Sequence, residues 1–196
     1  MKYNLSEITE VIRERRSVYP ESYSSRKVHS EIIEDVLNNA IWAPTHGMVQ
    51  PWRFKVYTGE ALKRLGVELE KIYKSVVPEA EWSERKLVKL RERTSSISVL
   101  IFICMRPEEN STIPEIENVA AVACAVQNMY LTCTAYGLGS YWSSPKYVYS
   151  DEMKAFLNLG EKDKCLGMFF MGYPEGEWPK SHRKPLEYVT EWFGND

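Results

Sequence analysis

The sequence predicts an α+β fold in which helices wrap a mixed central sheet. Two continuous apolar runs of strand length, Val99–Met105 and Leu166–Met171, indicate strands that are buried on both faces. Several other stretches place apolar residues at helical spacing. Because helices and strands do not alternate strictly along the chain, the pattern does not predict a doubly wound parallel sheet.

The first part of the chain predicts two helices. Leu5, Ile8 and Ile12 give residues 5–15 one apolar face. Ser30 is the predicted N-cap of a second helix that runs to about residue 41. Pro44 ends this helix, because a proline disfavours the α conformation in the residue before it.

The middle of the chain predicts a half-buried strand and three further helices. In Arg53–Tyr57 apolar and polar residues alternate, which is typical of a strand with one buried face. A helix is expected from about Glu60 to Lys74. Residues 78–96 are charged and predict a mobile helical segment over the surface, a candidate lid. After the buried strand Val99–Met105, a long helix is expected over about Ile116–Tyr136.

The last part of the chain predicts two strands, a helix and an apolar tail. Gly137 stops the long helix, Ser140–Trp142 is a short strand, and a helix over Asp151–Leu159 ends at Gly160. The buried strand Leu166–Met171 follows. The tail from about residue 174 is apolar again at Leu186, Tyr188, Val189, Trp192 and Phe193. We expect it to dock on the core or on a partner subunit, within a single domain of residues 1–196.

Composition excludes several function classes. The 25 basic and 27 acidic side chains give a net charge of −2, which offers no electrostatic reason to expect nucleic acid as a partner. Residues 1–9 lack the apolar core of a secretory signal, and the longest apolar run is too short to cross a membrane. The sequence therefore predicts a soluble protein that does not bind membranes.

Cysteine and histidine usage gives little support to metal chemistry. The four cysteines have no CxxC spacing, and they are predicted to be buried thiols in a reducing, cytoplasmic compartment. No two of the three histidines lie four residues apart on a helix, so no metal site is expected. Six Trp and twelve Tyr are more than a core of this size needs, which indicates a stacking site or a large interface.

Arg15-Arg16-Ser17 closes the first predicted helix and allows two interpretations. The arginines can simply complement the negative end of the helix dipole. Alternatively, their guanidinium groups and the serine hydroxyl bind a phosphate or another anion.

The segment Ala43–Trp52 predicts a rigid loop, because a proline stands near each end. It places side chains that can bind a ligand between these prolines: Thr45, His46, Met48 and Gln50, next to Pro44. A ligand loop of unknown chemistry is one interpretation. A structural histidine in a stiff turn is the other.

Gly137-Leu138-Gly139-Ser140 resembles a phosphate cradle only superficially, since it follows a helix and precedes a strand. A helix stop with a tight turn is the favoured interpretation. The adjoining Tyr141, Trp142 and Ser143 could stack on or contact a planar ring.

Taken together and in this order, these segments resemble the nitroreductase family of FMN enzymes, especially its smaller members with an Ala-Pro-x-His loop. The resemblance covers about residues 5–192. It is carried by Glu14–Ser17, Ala43–Phe54, Glu117-Asn118 to Gln127-Asn128, Gly137–Trp142, Leu166–Pro174 and Arg183–Leu186.

The resemblance implies an intertwined homodimer with two FMN sites at the interface. It implies that Arg15, Arg16 and Ser17 bind FMN, that the Pro44–Gln50 loop lies beside the flavin, and that Tyr141–Ser143 run past it. Arg183 matches a basic phosphate-binding position. Met48 replaces an asparagine that many relatives have, and Ser143 replaces an arginine that close relatives often have.

The resemblance also implies the reaction. NADH or NADPH reduces the flavin, and a nitroaromatic, quinone or similar small electrophile then reoxidises it in a ping-pong cycle. The flavin carries this chemistry, so no catalytic side chain is expected. The alternatives are flavin fragmentation, reductive dehalogenation, a flavin-binding regulatory dimer with little turnover, and a structural protein without a cofactor.

Overall fold

The computed structural model describes residues 2–194. Met1, Asn195 and Asp196 lie outside the described residues. The N-terminus, for which no secretory signal is predicted, is therefore described without its first residue, and the predicted tail is described without its last two. The helices are α1 (Leu5–Glu14), α2 (Ser30–Ala40), α3 (Glu60–Val76), α4 (Glu84–Ser96), α5 (Glu115–Ala135) and α6 (Asp151–Phe156). The strands are β1 (Trp52–Thr58), β2 (Val99–Met105), β3 (Gly139–Ser143) and β4 (Lys164–Gly172).

The strands form one sheet in the order β1-β2-β4-β3, and all neighbouring strands run antiparallel. An isolated parallel bridge between Ser17 and Ser140 places the segment after α1 beside the β3 edge, but the four strands themselves form an antiparallel sheet and not the mixed sheet that the sequence predicts. The predicted α+β fold is confirmed. Both central strands are buried along nearly their whole length, as their apolar runs predict.

Two hydrophobic layers cover the two faces of the sheet. On one face α5 and α2 pack over residues such as Ile101, Ile103 and Phe169. On the other face α3, α4 and α6 cover Phe102 and Phe170. The two sets of residues alternate along β2 and β4, because successive side chains of a strand point to opposite faces.

Two predicted helix ends are wrong. Helix α2 begins at Ser30 itself, and His29 is its N-cap without a side-chain hydrogen bond. Helix α6 ends at Phe156 rather than Leu159, because Asn158 adopts a left-handed conformation with φ of 48°. The Leu159 N–H then donates to the Lys154 carbonyl at 2.9 Å, which closes the helix early.

The segment 78–96 is helical, as predicted, and it is tied to the body of the protein. Leu87 and Thr94 of α4 are buried. Arg91 binds the carboxylate of Glu70 on α3, and Arg93 donates to Glu21 at 3.0 Å.

The start of the tail is bonded to the rest of the chain, whereas its end is exposed. Trp178 donates from Nε1 to the Glu14 carbonyl at 2.7 Å, which fixes the start of the tail to the end of α1. From Leu186 onward its apolar side chains are exposed, with Trp192 84% and Phe193 92% accessible. In the single chain these side chains do not dock on the core, so of the two expected docking surfaces the partner subunit is the one that stays a prediction.

Three of the four cysteines are buried, as expected, but Cys124 is exposed on α5. Within residues 2–194, no helix is both long enough and apolar enough to span a membrane.

Candidate functional site

The segment after α1 runs as an extended chain along the edge of the sheet. Arg15 leaves the helical conformation, with φ −53° and ψ 124°. Ser17 pairs with Ser140, and the Val18 N–H donates to the Ser140 carbonyl at 2.9 Å. The predicted groups Arg15–Ser17 and Tyr141–Ser143 therefore lie on adjacent segments.

Tyr130 of α5 connects these two segments. Its ring lies 5.1 Å from the guanidinium carbon of Arg15, and its hydroxyl accepts a hydrogen bond from the Trp142 backbone N–H at 2.7 Å. Burial raises the pKa of Tyr130, while hydrogen bonds from Ser17 and Trp142 act in the opposite direction. The phenol therefore stays neutral at physiological pH.

Sequence reasoning did not assign Tyr130 to the site. Its helical spacing marks it only as a core residue of α5. The sequence contains no local signal that its hydroxyl meets the backbone of Trp142, twelve residues later.

Two polar groups of these residues have no hydrogen-bond or ion-pair partner among the described residues. The Trp142 indole N–H is buried without a hydrogen-bond partner, although buried polar groups are normally paired. Arg15 forms no ion pair with any residue of the described range 2–194. A guanidinium group without an ion-pair partner is suited to an anionic ligand.

Arg16 and Arg183 have other neighbours in this chain. Arg16 donates to the carbonyls of Arg13, Arg15 and Pro179, which leaves only its second terminal nitrogen free. Arg183 is exposed and donates to Ser181 and to the His182 carbonyl. Arg16 adjoins the cluster only through its neighbour Arg15, and among the described residues Arg183 bonds only within the tail.

Tyr141 and Trp142 lie on opposite faces of β3. Trp142 packs against the α5 layer, whereas Tyr141 contacts Tyr19 and Phe170 on the other face, with ring centres 4.7 and 6.3 Å away. The two rings therefore lie on opposite sides of β3, because adjacent residues of a strand point in opposite directions.

The Pro44–Gln50 loop is held in an unusual backbone conformation. Met48 and Gln50 have φ values of 58° and 49°, in a region that favours glycine. The Thr45 hydroxyl accepts a hydrogen bond from the Gln50 N–H at 3.2 Å, and Met48 is 74% exposed. Strained, exposed residues of this kind are often found at ligand sites.

His46 connects this loop to the beginning of α5. Its Nδ1 lies 2.6 Å from a carboxylate oxygen of Glu117. Tyr130, beside Arg15, is thirteen residues further along the same helix, which corresponds to about 20 Å at 1.5 Å per residue. One chain therefore does not bring the loop and the arginine cluster together.

Comparisons with known proteins give the family. The model of the Nitroreductase family matches residues 12–173. This chain is 25% identical to a Bacillus subtilis protein provisionally named NAD(P)H nitroreductase YfhC, over 92% of this chain and 91% of that protein. The chain belongs to the Nitroreductase family.

Solved structures have the same fold. A nitroreductase-like family protein from Bacillus cereus superposes with a TM-score of 0.81 at 26% identity, covering 98% of both chains. A nitroreductase-type protein from Desulfovibrio desulfuricans, crystallised in complex with FMN, has a TM-score of 0.72 at 23% identity. That match covers 98% of this chain and all of the other.

Proposed function

We propose that this chain is an FMN-dependent oxidoreductase that passes reducing equivalents from NADH or NADPH to a small electrophile such as a nitroaromatic or a quinone. It would act as a cytoplasmic homodimer built from one domain per chain. Family membership supports the reaction class, and the relatives' names and the FMN complex support the cofactors.

The observation that carries the proposal is the cluster of Arg15, Tyr130 and Trp142. It offers one guanidinium group without a carboxylate partner and one buried indole N–H without an acceptor. FMN has a phosphate dianion and a ring edge rich in acceptors, so its chemistry fits these donors. Ser17 and the free nitrogen of Arg16 would add contacts at the same edge. A contribution of positive charge from Arg183 would require the exposed tail to move towards the cluster.

The separation of the loop from the arginine cluster supports a dimer. The two groups of residues lie about 20 Å apart along α5, so a single copy does not bring both to the same part of a flavin. In a two-fold dimer, the Pro44–Gln50 loop of one protomer would meet the arginine cluster of its partner, giving two equivalent sites. The exposed apolar tail is the surface we expect to stabilise that arrangement.

Bound FMN would supply the redox chemistry by accepting a hydride and returning reducing equivalents to the electrophile in a ping-pong cycle. The protein's own residues would bind and orient it. Arg15 would provide positive charge, Trp142 would donate one hydrogen bond, and Thr45, His46 and Gln50 would provide polar contacts from the partner. The apolar side chain of Met48 would limit access of water to the ring.

The test is the cofactor content of the purified protein. We expect yellow protein with FMN identified by absorption and mass, and we expect Arg15→Ala to lose most of that FMN. Arg13→Ala, an exposed position two residues earlier on α1, is the matched control and should keep it. Full flavin content in Arg15→Ala would contradict the assignment of that residue.

Turnover distinguishes the possible reactions. We expect NAD(P)H to bleach the flavin anaerobically and nitrofurazone to restore the yellow colour. Activity confined to halotyrosine or to free reduced FMN would indicate dehalogenation or flavin fragmentation instead. A bound flavin that no nicotinamide can bleach would indicate a regulatory dimer, and protein that stays colourless with added FMN would contradict the whole proposal.

A further inference from the structure

Cys104 of β2 and Cys165 of β4 are direct partners in the antiparallel ladder that joins the two central strands. Both are free thiols, 0% and 2% exposed, and both belong to the hydrophobic layer under α3 and α6. They lie 61 positions apart in the chain, so only the pairing of the strands brings them together. The proposed flavin chemistry uses neither thiol.

The ladder places the two cysteines at a separation that a disulfide bond can span. Residues directly opposite each other on antiparallel strands have Cα atoms about 4.5 to 5.5 Å apart, and disulfide bonds join Cα atoms about 4.4 to 6.8 Å apart. Because both side chains enter the same hydrophobic layer, their Cβ atoms do not point apart. Leu166, next to Cys165, has no partner in the ladder, so the strands can adjust locally at this point.

The two thiols differ in acidity because they are hydrogen-bonded to each other. Donation from the Cys104 thiol lowers the pKa of Cys165. The same hydrogen bond, together with burial, raises the pKa of Cys104. Cys165 is therefore the member of the pair that more readily becomes a thiolate, which is the form that attacks an oxidant.

The pair lies close to the surface end of both strands. Cys104 is the second-last residue of β2, and Cys165 is the second residue of β4. The side chains of Arg106 and Lys164, just beyond the pair, are exposed. The ends of an element open more readily than its centre, so a small oxidant can reach these thiols whereas a bulky one is excluded.

We propose that Cys104 and Cys165 form a reversible disulfide bond between β2 and β4 when the protein meets a hydroperoxide. With hydrogen peroxide, the Cys165 thiolate attacks one oxygen, the O–O bond breaks, and water leaves a sulfenic acid on Cys165. The Cys104 thiol then attacks the sulfenic sulfur, the S–S bond forms, and a second water leaves. Two thiols are oxidised, one peroxide is reduced to two waters, and a thiol reductant reverses the bond.

This inference goes beyond the proposed redox function and does not require a bound flavin. The experiment is peptide mapping of the full chain. Reduced protein is treated with hydrogen peroxide, denatured in the presence of an alkylating reagent, and digested without reductant. We expect mass spectrometry to show one linked pair of peptides that contains Cys104 and Cys165 and has lost two hydrogen atoms. Dithiothreitol should restore both thiols.

Two other products would overturn the proposal. One is sulfinic acid at Cys165 without any linked peptide, which would show that Cys104 does not reach the oxidised sulfur. The other is a link between two chains through Cys124 alone, the exposed thiol of α5.

Variants distinguish the roles of the two thiols. Cys104→Ala removes the second thiol, so we expect no linked peptide and a sulfenic acid on Cys165 that dimedone labels. Cys165→Ala should give at least about tenfold less label, because Cys104 keeps its proton. Cys133→Ala, at a buried thiol in the other hydrophobic layer, is the matched control and should keep the linked pair. Equal labelling of Cys104→Ala and Cys165→Ala would overturn the proposed order of attack.

The bond should also stabilise the fold, because closing a loop of this length restricts the unfolded chain. We expect oxidised protein to unfold at a temperature at least about 5 °C higher than reduced protein. Peroxide-treated Cys104→Ala should show no rise. Linked protein that unfolds no higher than reduced protein would mean that the bond distorts the sheet, and this would overturn the proposal. Mapping and unfolding of the parent chain need no substitution, so both tests hold even if a variant does not fold.

Discussion

Gly167 leaves no room for a side chain beside Trp142. A Cβ atom at position 167 would lie 2.5 Å from the Trp142 indole nitrogen and 2.8 Å from the Ser143 carbonyl oxygen. The φ of Gly167 is 140°, which side chains rarely adopt. A glycine in a central strand of the sheet thus fixes the position of the indole ring in the candidate site.

Gly167→Ala should therefore destabilise the protein and displace Trp142. We expect a loss of about 3 kcal/mol or more in the free energy of unfolding, from backbone strain and overpacking together. Urea unfolding followed by tryptophan fluorescence measures both effects. Gly137→Ala is the matched control: its φ is 67° but nothing lies within 4 Å of its Cβ position, so only about 1–2 kcal/mol of strain is expected. Equal losses in the two variants would contradict the steric argument.

Tyr130→Phe should lower stability through the hydrogen bond that it removes. The Trp142 backbone N–H would lose its acceptor, and an unpaired buried N–H costs about 1–3 kcal/mol. The phenylalanine ring would still lie under Arg15, so we expect flavin content to fall less than in Arg15→Ala. Tyr149→Phe, at an exposed tyrosine, should change the free energy of unfolding by less than about 0.5 kcal/mol. An unchanged unfolding curve for Tyr130→Phe would show that the hydrogen bond is unimportant.

The sequence predicts the core strands better than it predicts the site. The predicted strand Val99–Met105 has the same first and last residues as β2, because its apolar run coincides with a strand that is paired on both sides. The end of α6 is missed, since the left-handed conformation of Asn158 is a property of one residue and gives no periodic signal.

The sequence predicts which segments of the chain contribute to the candidate site, but it does not predict how these segments are arranged in space. The contact of Arg15 with Tyr130 joins residues 115 positions apart, and only the packing of α1, α5 and β3 creates it. The distance between His46 and the arginine cluster depends on the length and course of α5. Neither of these two spatial relationships can be read from the local spacing of residues. The resemblance names the candidate residues, and the structure shows where they lie.

Glu70 should make stability depend on pH in the acid range. Hydrogen bonds from Arg91 and Lys74 lower the pKa of Glu70 from 4.5 to about 2. Because the folded-state pKa lies below the unfolded-state value, this contribution is complete above about pH 4.5 and is lost as the pH falls towards 2. Its size is limited by solvent around the exposed Arg91.

Glu70→Gln tests this linkage. We expect the variant to be less stable than the parent protein at pH 7, and we expect the difference to shrink at pH 3. Urea unfolding at the two pH values measures it. Glu68→Gln, which removes an ion pair with Lys71 on the same helix, should give a smaller difference. A Glu70→Gln difference that is the same at both pH values would exclude the carboxylate as its cause.

The exposed end of the tail should determine whether two chains stay together. Trp192 and Phe193 are the two most exposed aromatic side chains there, and a free chain rarely leaves such groups in water without a partner surface. Trp192→Ala combined with Phe193→Ala should raise the dissociation constant of the proposed dimer by at least about thirtyfold, which corresponds to about 2 kcal/mol and is the loss expected if only one of the two rings is an interface hot spot. Sedimentation equilibrium measures the constant. Tyr3→Ala, an exposed aromatic residue before α1, is the control and should leave it within about threefold. A double variant that dimerises as tightly as the parent chain would show that the tail does not hold the partner, and the dimer would then have to rest on other surfaces.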